Sequence, residues 1–194
     1  MKKVILYLLL IVGCLSTGYA QVSGIKTIPG DYATIESAIS ALNSGGVGTG
    51  GVTFNISAGY TETFLSPTGG LITATGTSSN PIVFQKSGAG VNPVIFAGTG
   101  TGTADYVIGL SGTDYITFDG IDIRENPLNT TTTQMAEWGY ALLKSSATDG
   151  SQYVTIKNCD IRLNNLNTAS YGICNSRCTN HSVDCYRIIR SKLL

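Results

Sequence analysis

Charged side chains are scarce: 12 Lys and Arg with 12 Asp and Glu make up only 12 % of the 194 residues. That is about half the usual share, and a solvated helical bundle does not suit it. His181 is the only histidine, which removes most acid–base arrangements that use imidazole. The chain has no serine nucleophile elbow, no metal-binding histidine pair and no phosphate loop. The apolar run from Val4 to Val12 falls well short of the roughly 20 residues that span a bilayer, so no transmembrane helix is expected in the mature chain. Basic residues are also missing where a polyanion would need them. From Gln21 to Ile173 there are six Lys or Arg against eleven Asp or Glu, a balance of −5. No basic face can form there, which argues against nucleic acid as a partner.

What is abundant is glycine, at 24 residues, together with Thr, Ser and β-branched residues. Such a composition suits short strands joined by tight turns. Residues 1–20 read as a signal peptide. Lys2 and Lys3 supply the charged end, Val4 to Val12 the apolar stretch, and Gly18-Tyr19-Ala20 a small-residue cleavage site before Gln21. A rival processing signal overlaps it. Leu10-Ile11-Val12-Gly13-Cys14 resembles a bacterial lipobox, which would leave a lipidated Cys14 as the N-terminus. Both readings place the protein outside the cytoplasm.

The body repeats itself. Tyr115 to Thr130 aligns without gaps to Tyr153 to Thr168, with nine of sixteen positions identical. Ile116/Val154, Phe118/Ile156 and Ile121/Cys159 exchange apolar residues, as a shared core requires. Gly120/Asn158 exchanges the two residues that best tolerate positive φ, so both copies should bend there. Each copy reads as two short strands with inward faces around that bend. A third strand begins at Tyr106 or Tyr140 before each copy, and another at Tyr171; these tyrosines lie 34 and 31 residues apart. Fainter echoes stand upstream at Val52 to Ile56, Ile82 to Phe84 and Val94 to Phe96. Periods of about 30–38 residues with three short strands suggest the coils of a parallel β-solenoid, and the strands are too short for propeller blades.

One segment is helical. Thr34 is placed as its cap and Gly45 as its terminator, with Ile35, Ala38, Ile39 and Leu42 on one face. A helix there would plug the open end of a solenoid. The expected organisation is a signal peptide at 1–20, a strand and capping helix at 21–45, β-helix coils at 46–173 and an atypical tail at 174–194. The stretch Gly30 to Ile39 resembles the opening of pectin-lyase-like right-handed parallel β-helices, and Tyr115 to Ile123 resembles their repeating coil. From Gly24 to Ile173 the chain most resembles the N-terminal part of large bacterial surface β-helix proteins, often adhesin-like. The resemblance implies an all-β, right-handed solenoid and export to the outer surface. It does not imply one activity, because that superfamily holds lyases, esterases, hydrolases and non-catalytic proteins. The chain lacks a counterpart of the Gly-Asp-x-Asp-Phe stretch of pectin methylesterases.

Asp122 and Asp160 are repeat equivalents, as are Arg124 and Arg162. On an enzyme reading the aspartates are an acid–base pair or Ca²⁺ ligands and an arginine is the base of a lyase. On a structural reading acidic and basic columns neutralise one another on the coil surface, and their repetition favours this. Asn126/Asn164 and Asn129/Asn167 read as ladders that satisfy turn backbone. Residues 130–139 are longer than their counterpart and hold the only tryptophan. As a loop they would expose Trp138 beside Glu137, a ring and a carboxylate able to hold a sugar; otherwise Trp138 folds back to cover the coil. Cys159 is expected in the core.

In the tail, Cys174, Cys178, His181 and Cys185 are zinc-type ligands at a spacing that fits no zinc finger. Disulfides suit an exported chain better. The abrupt change at Cys174, after which the charge balance is +3 (Arg177, Arg187, Arg190 and Lys192 against Asp184), favours an incomplete or frame-shifted end. The function expected is an exported, non-catalytic surface or matrix protein, adhesive or glycan-binding, without a cofactor. The alternative is a polysaccharide lyase or hydrolase on the same scaffold, with Ca²⁺ as its cofactor.

Overall fold

Alternating apolar residues in runs of three to six, broken by Gly and Asn, make strands too short to fold alone. They are stabilised here by stacking. The structure, a computed structural model, describes residues 20–175. The signal-peptide segment, Cys14 and the residues beyond 175, including Cys178, His181 and Cys185, lie outside the described residues.

Strands β1 (Val22–Ile28), β2 (Val47–Ser57), β3 (Thr61–Thr63), β4 (Leu71–Ile72), β5 (Ile82–Ser87), β6 (Val94–Phe96) and β7 (Tyr106–Ser111) lead into the repeated half of the fold. That half consists of β8 (Ile116–Asp119), β9 (Asp122–Arg124), β10 (Trp138–Leu143), β11 (Val154–Lys157), β12 (Ile161–Arg162) and β13 (Tyr171–Asn175). They form three parallel sheets with orders β1-β2-β5-β8-β11, β12-β9-β6-β3 and β13-β10-β7-β4. The first turn contributes β1 and then a helix, and each of the four turns after it contributes one strand to each sheet. The protein is therefore a parallel β-solenoid of about five turns, with a single short helix.

The stacking register sorts the core into columns. Val52, Ile82, Ile116 and Val154 form one, and Phe54, Phe84, Phe118 and Ile156 form the next. The three phenylalanine rings stack at centroid distances of 4.6 and 5.3 Å, with Tyr32 tilted over the top of the column. Ile123 pairs with Ile161, and Ile121 and Cys159 are both buried, as the repeat requires. The bend between the paired strands is left-handed in both copies, with φ of 70° at Gly120 and 55° at Asn158. Val94 to Phe96 departs from expectation. It belongs to the second sheet and buries its middle residue, Ile95, rather than its outer two.

Helix α1 (Ile35–Gly45) closes the N-terminal end. Thr34 caps it in a reciprocal capping box with Ser37, and Ile35, Ala38, Ile39 and Leu42 are buried. The glycine that ends it is Gly46, at φ 71°, rather than Gly45. The helix also supplies the hydrogen bonds a preceding coil would have made. The Asn43 amide donates to Leu71 O (2.8 Å) and accepts from the N–H groups of Thr73 (2.9 Å) and Ala74 (3.2 Å). The Glu36 carboxylate accepts from Leu65 N–H at 3.0 Å. In return Glu62 on β3 accepts from the first helical N–H groups, Ile35 (2.6 Å) and Glu36 (3.0 Å), where the helix dipole favours an anion. A sheet edge that would template another chain is thereby occupied.

Two substitutions test this account. Asn43→Ala leaves Leu71 O and the Thr73 and Ala74 N–H groups without partners and should cost about 1–3 kcal/mol in urea unfolding. Tyr140 is fully buried, and its hydroxyl lies beside the Cys159 thiol without a hydrogen bond of normal geometry. Tyr140→Phe should therefore leave stability unchanged or raise it by about 1 kcal/mol, where a loss of that size would show that the hydroxyl is bonded.

Candidate functional site

The second sheet carries the charged candidates. Asp122 begins β9 and Asp160 precedes β12, so the register brings one directly under the other. Two carboxylates so placed repel unless cations sit between them. Arg124 Nη2 reaches Asp122 Oδ2 at 3.0 Å and Asp160 Oδ2 at 3.2 Å, and Arg162 also pairs with Asp160. Arg124 Nη1 donates to the carbonyls of Ile123 and Asp160. Asp122 is not the exposed residue that strand alternation suggests. It is 8 % exposed, and its Oδ1 accepts from Asn92 Nδ2 (2.8 Å) and Asp160 N–H (2.9 Å). Both carboxylate oxygens of Asp122 and both terminal nitrogens of Arg124 thus hold the coils together.

The asparagine columns lie at the corner leaving this sheet. Asn126 Oδ1 accepts from Leu128 N–H and Asn164 Oδ1 from Leu166 N–H, each at 3.0 Å, giving the same Asx turn on adjacent coils. These asparagines satisfy turn backbone without taking positive φ. Asn129 is 2 % exposed and donates to Gly98 O and the Glu125 carboxylate.

Residues 130–139 do not stand out as a free loop. Glu125 accepts from Ala136 N–H at 3.0 Å and Gly100 N–H donates to Gln134 O at 2.8 Å, tying the segment to the coil above. Met135, Ala136 and Glu137 are buried. Glu137 is 2 % exposed, accepting from Asp105 N–H (2.9 Å) through one oxygen and Asn167 Nδ2 (2.7 Å) through the other. The expected pairing of an exposed ring with a free carboxylate is therefore corrected: Glu137 binds the neighbouring coils, above and below. Trp138 is half-buried and opens β10, where it pairs with Tyr106 and Tyr171. The tyrosine spacing read from the sequence was two residues out of register at this coil, because Tyr140 is a core residue packed edge-on against Phe118.

Two further aromatic residues form a site that sequence reasoning passed over. Tyr115 and Tyr153 stack at 4.3 Å on the corner leading into the first sheet, and both have positive φ, 49° and 53°. Their identity in the repeat was visible; their left-handed backbone was not. Cys174 belongs to β13, in register with Ala141, so the strand continues past the expected end of the coils at 173. Among the described residues no cluster of three or more His, Cys, Asp or Glu could hold a metal ion, and no helix is long and apolar enough to cross a membrane.

The fold places the chain among parallel β-solenoid proteins. It matches no protein-family model, no curated protein and no solved structure.

Burial raises the carboxyl groups of both Glu125 and Glu137 above the ordinary value of 4.5, against the opposing pull of their hydrogen bonds. The folded chain then holds more protons than the unfolded chain between 4.5 and the raised values, so these groups cost stability as pH rises through that window. The stability of the wild type relative to Glu137→Gln should accordingly fall as the pH rises above the ordinary glutamate value of 4.5. Urea unfolding at several pH values reads this directly, and a pH-independent difference would contradict it.

Proposed function

We propose that this is an exported β-helix protein of the cell surface or surrounding matrix, which adheres to glycans without cleaving them. The observation that carries the reading is the ion-pair lattice of Asp122, Arg124, Asp160 and Arg162. A general acid or base must be free to exchange a proton with substrate. In this lattice the aspartates accept from the arginines, from Asn92 and from backbone, and the arginine that a lyase would use as base is paired on both sides. The repeat supports the same reading, because the charges recur on the two adjacent coils of β9 and β12, where they pair across the stack. The resemblance to pectin-lyase-like right-handed β-helices, and to the adhesin-like surface proteins among them, supports export and adhesion. The signal-type residues 1–20 support export as well.

The test pairs localisation with chemistry. Protein recovered from its native host should begin at Gln21, or at a lipidated Cys14; an intact cytoplasmic Met1 would end the export reading. Incubated with acidic and neutral polysaccharides, with and without Ca²⁺, the purified chain should release no unsaturated or reducing ends. Release that disappears in Asp122→Ala or Arg124→Ala would replace adhesion with lyase or hydrolase activity.

A further inference from the structure

The outer face of the third sheet carries a column of three aromatic residues on successive coils. Strand pairing sets Trp138 beside Tyr106 on one side and Tyr171 on the other, and all three are half-buried. Val107 is buried in the core, and a Cβ at Gly139 would collide with the core side chain of Ile161, so positions 107, 139 and 172 face inward and Tyr106, Trp138 and Tyr171 before them face outward. Alternation is broken at the next residue, since Ile108 and Tyr140 are also in the core, and it then turns Gly109, Ala141 and Cys174 outward. These outward residues are small, and Ala141 and Cys174 are only 1 % and 7 % exposed. At Gly109 the cover is explicit: an added Cβ would collide with the Tyr106 ring, which therefore lies along its own strand. A ring laid flat on the sheet keeps its other face toward solvent. Tyr115 and Tyr153 differ in this respect, since they stack on each other and hide the faces between them.

We propose that this column is a binding track for an uncharged glycan chain running along the solenoid axis. It rests on the glycan-adhesion reading and gives that reading a place. Successive strands are separated by about 4.8 Å, close to the length of one pyranose unit, so consecutive rings meet consecutive sugars. The apolar C–H face of a hexose packs on a ring face, and the tyrosine hydroxyls exchange hydrogen bonds with the sugar edges. The charge pattern selects against acidic glycans: Asp105 adjoins Tyr106, and the body carries an excess of acid.

The test is titration of the full chain with cellohexaose, mannohexaose and laminarihexaose, each beside its trimer, with hexagalacturonate as the anionic control. At least one neutral hexamer should bind and shift Trp138 fluorescence, and its trimer, long enough to meet all three rings, should bind within about threefold of it. Trp138→Leu and Tyr106→Leu keep an apolar cover over Ala141 and Gly109 but remove the π face. Each should weaken that hexamer about tenfold while the unfolding midpoint holds, and Tyr153→Ala should not. Hexamer binding unaffected by either leucine variant overturns the track and leaves glycan adhesion standing. Binding of none of the three neutral hexamers, or a preference for hexagalacturonate, overturns both.

Discussion

Parallel pairing between successive turns is the constraint on which everything else depends. Each strand takes its hydrogen-bond partners from the turn above and the turn below, so a side chain always sits on its equivalent one turn away. Apolar side chains gain from this arrangement. The Phe54, Phe84 and Phe118 rings stack because the register sets each one directly on the next. The first turn has no turn above it, and the helix answers with side chains in place of a strand. Asn43 and Glu36 reach down to the free backbone groups, and Glu62 reaches up to the helix N-terminus.

The same constraint turns a charged repeat into a problem. Asp122 over Asp160 would place like charges one strand spacing apart, and Arg124 resolves it by bonding both. Glu137 presents the alternative solution. It is withdrawn from solvent and held by Asp105 N–H and the Asn167 amide, at the cost of a raised carboxyl pKa. Acidic groups that looked available for chemistry are consumed by holding coils in register. The outer face of the third sheet is treated differently, with the Tyr106 ring covering Gly109.

Much of this was legible in advance because solenoid contacts repeat locally. The Ile121/Cys159 exchange, the Gly120/Asn158 bend and the buried face of α1 follow from periodicity and from the φ each residue tolerates. The column containing Trp138 was not legible by matching residue types. Tyr106, Tyr140 and Tyr171 looked equivalent, yet Tyr140 points into the core while Tyr106 lies over Gly109 on the outside. Corner segments of different length separate the second and third sheets in each turn, and they shift the sequence spacing without shifting the strand register.

Short parallel strands in stacked turns follow from the residue pattern alone, since alternation, turn residues and a sixteen-residue repeat all act over short separations. The same pattern also determined the helical cap, whose start and apolar face are local properties. Which charged groups pair with one another, and where Glu137 points, is set by the folded contacts between coils. Strand pairing sets Trp138 in line with Tyr106 and Tyr171. Those outcomes depend on contacts between residues about thirty positions apart, brought together by variable corners whose length no local pattern predicts.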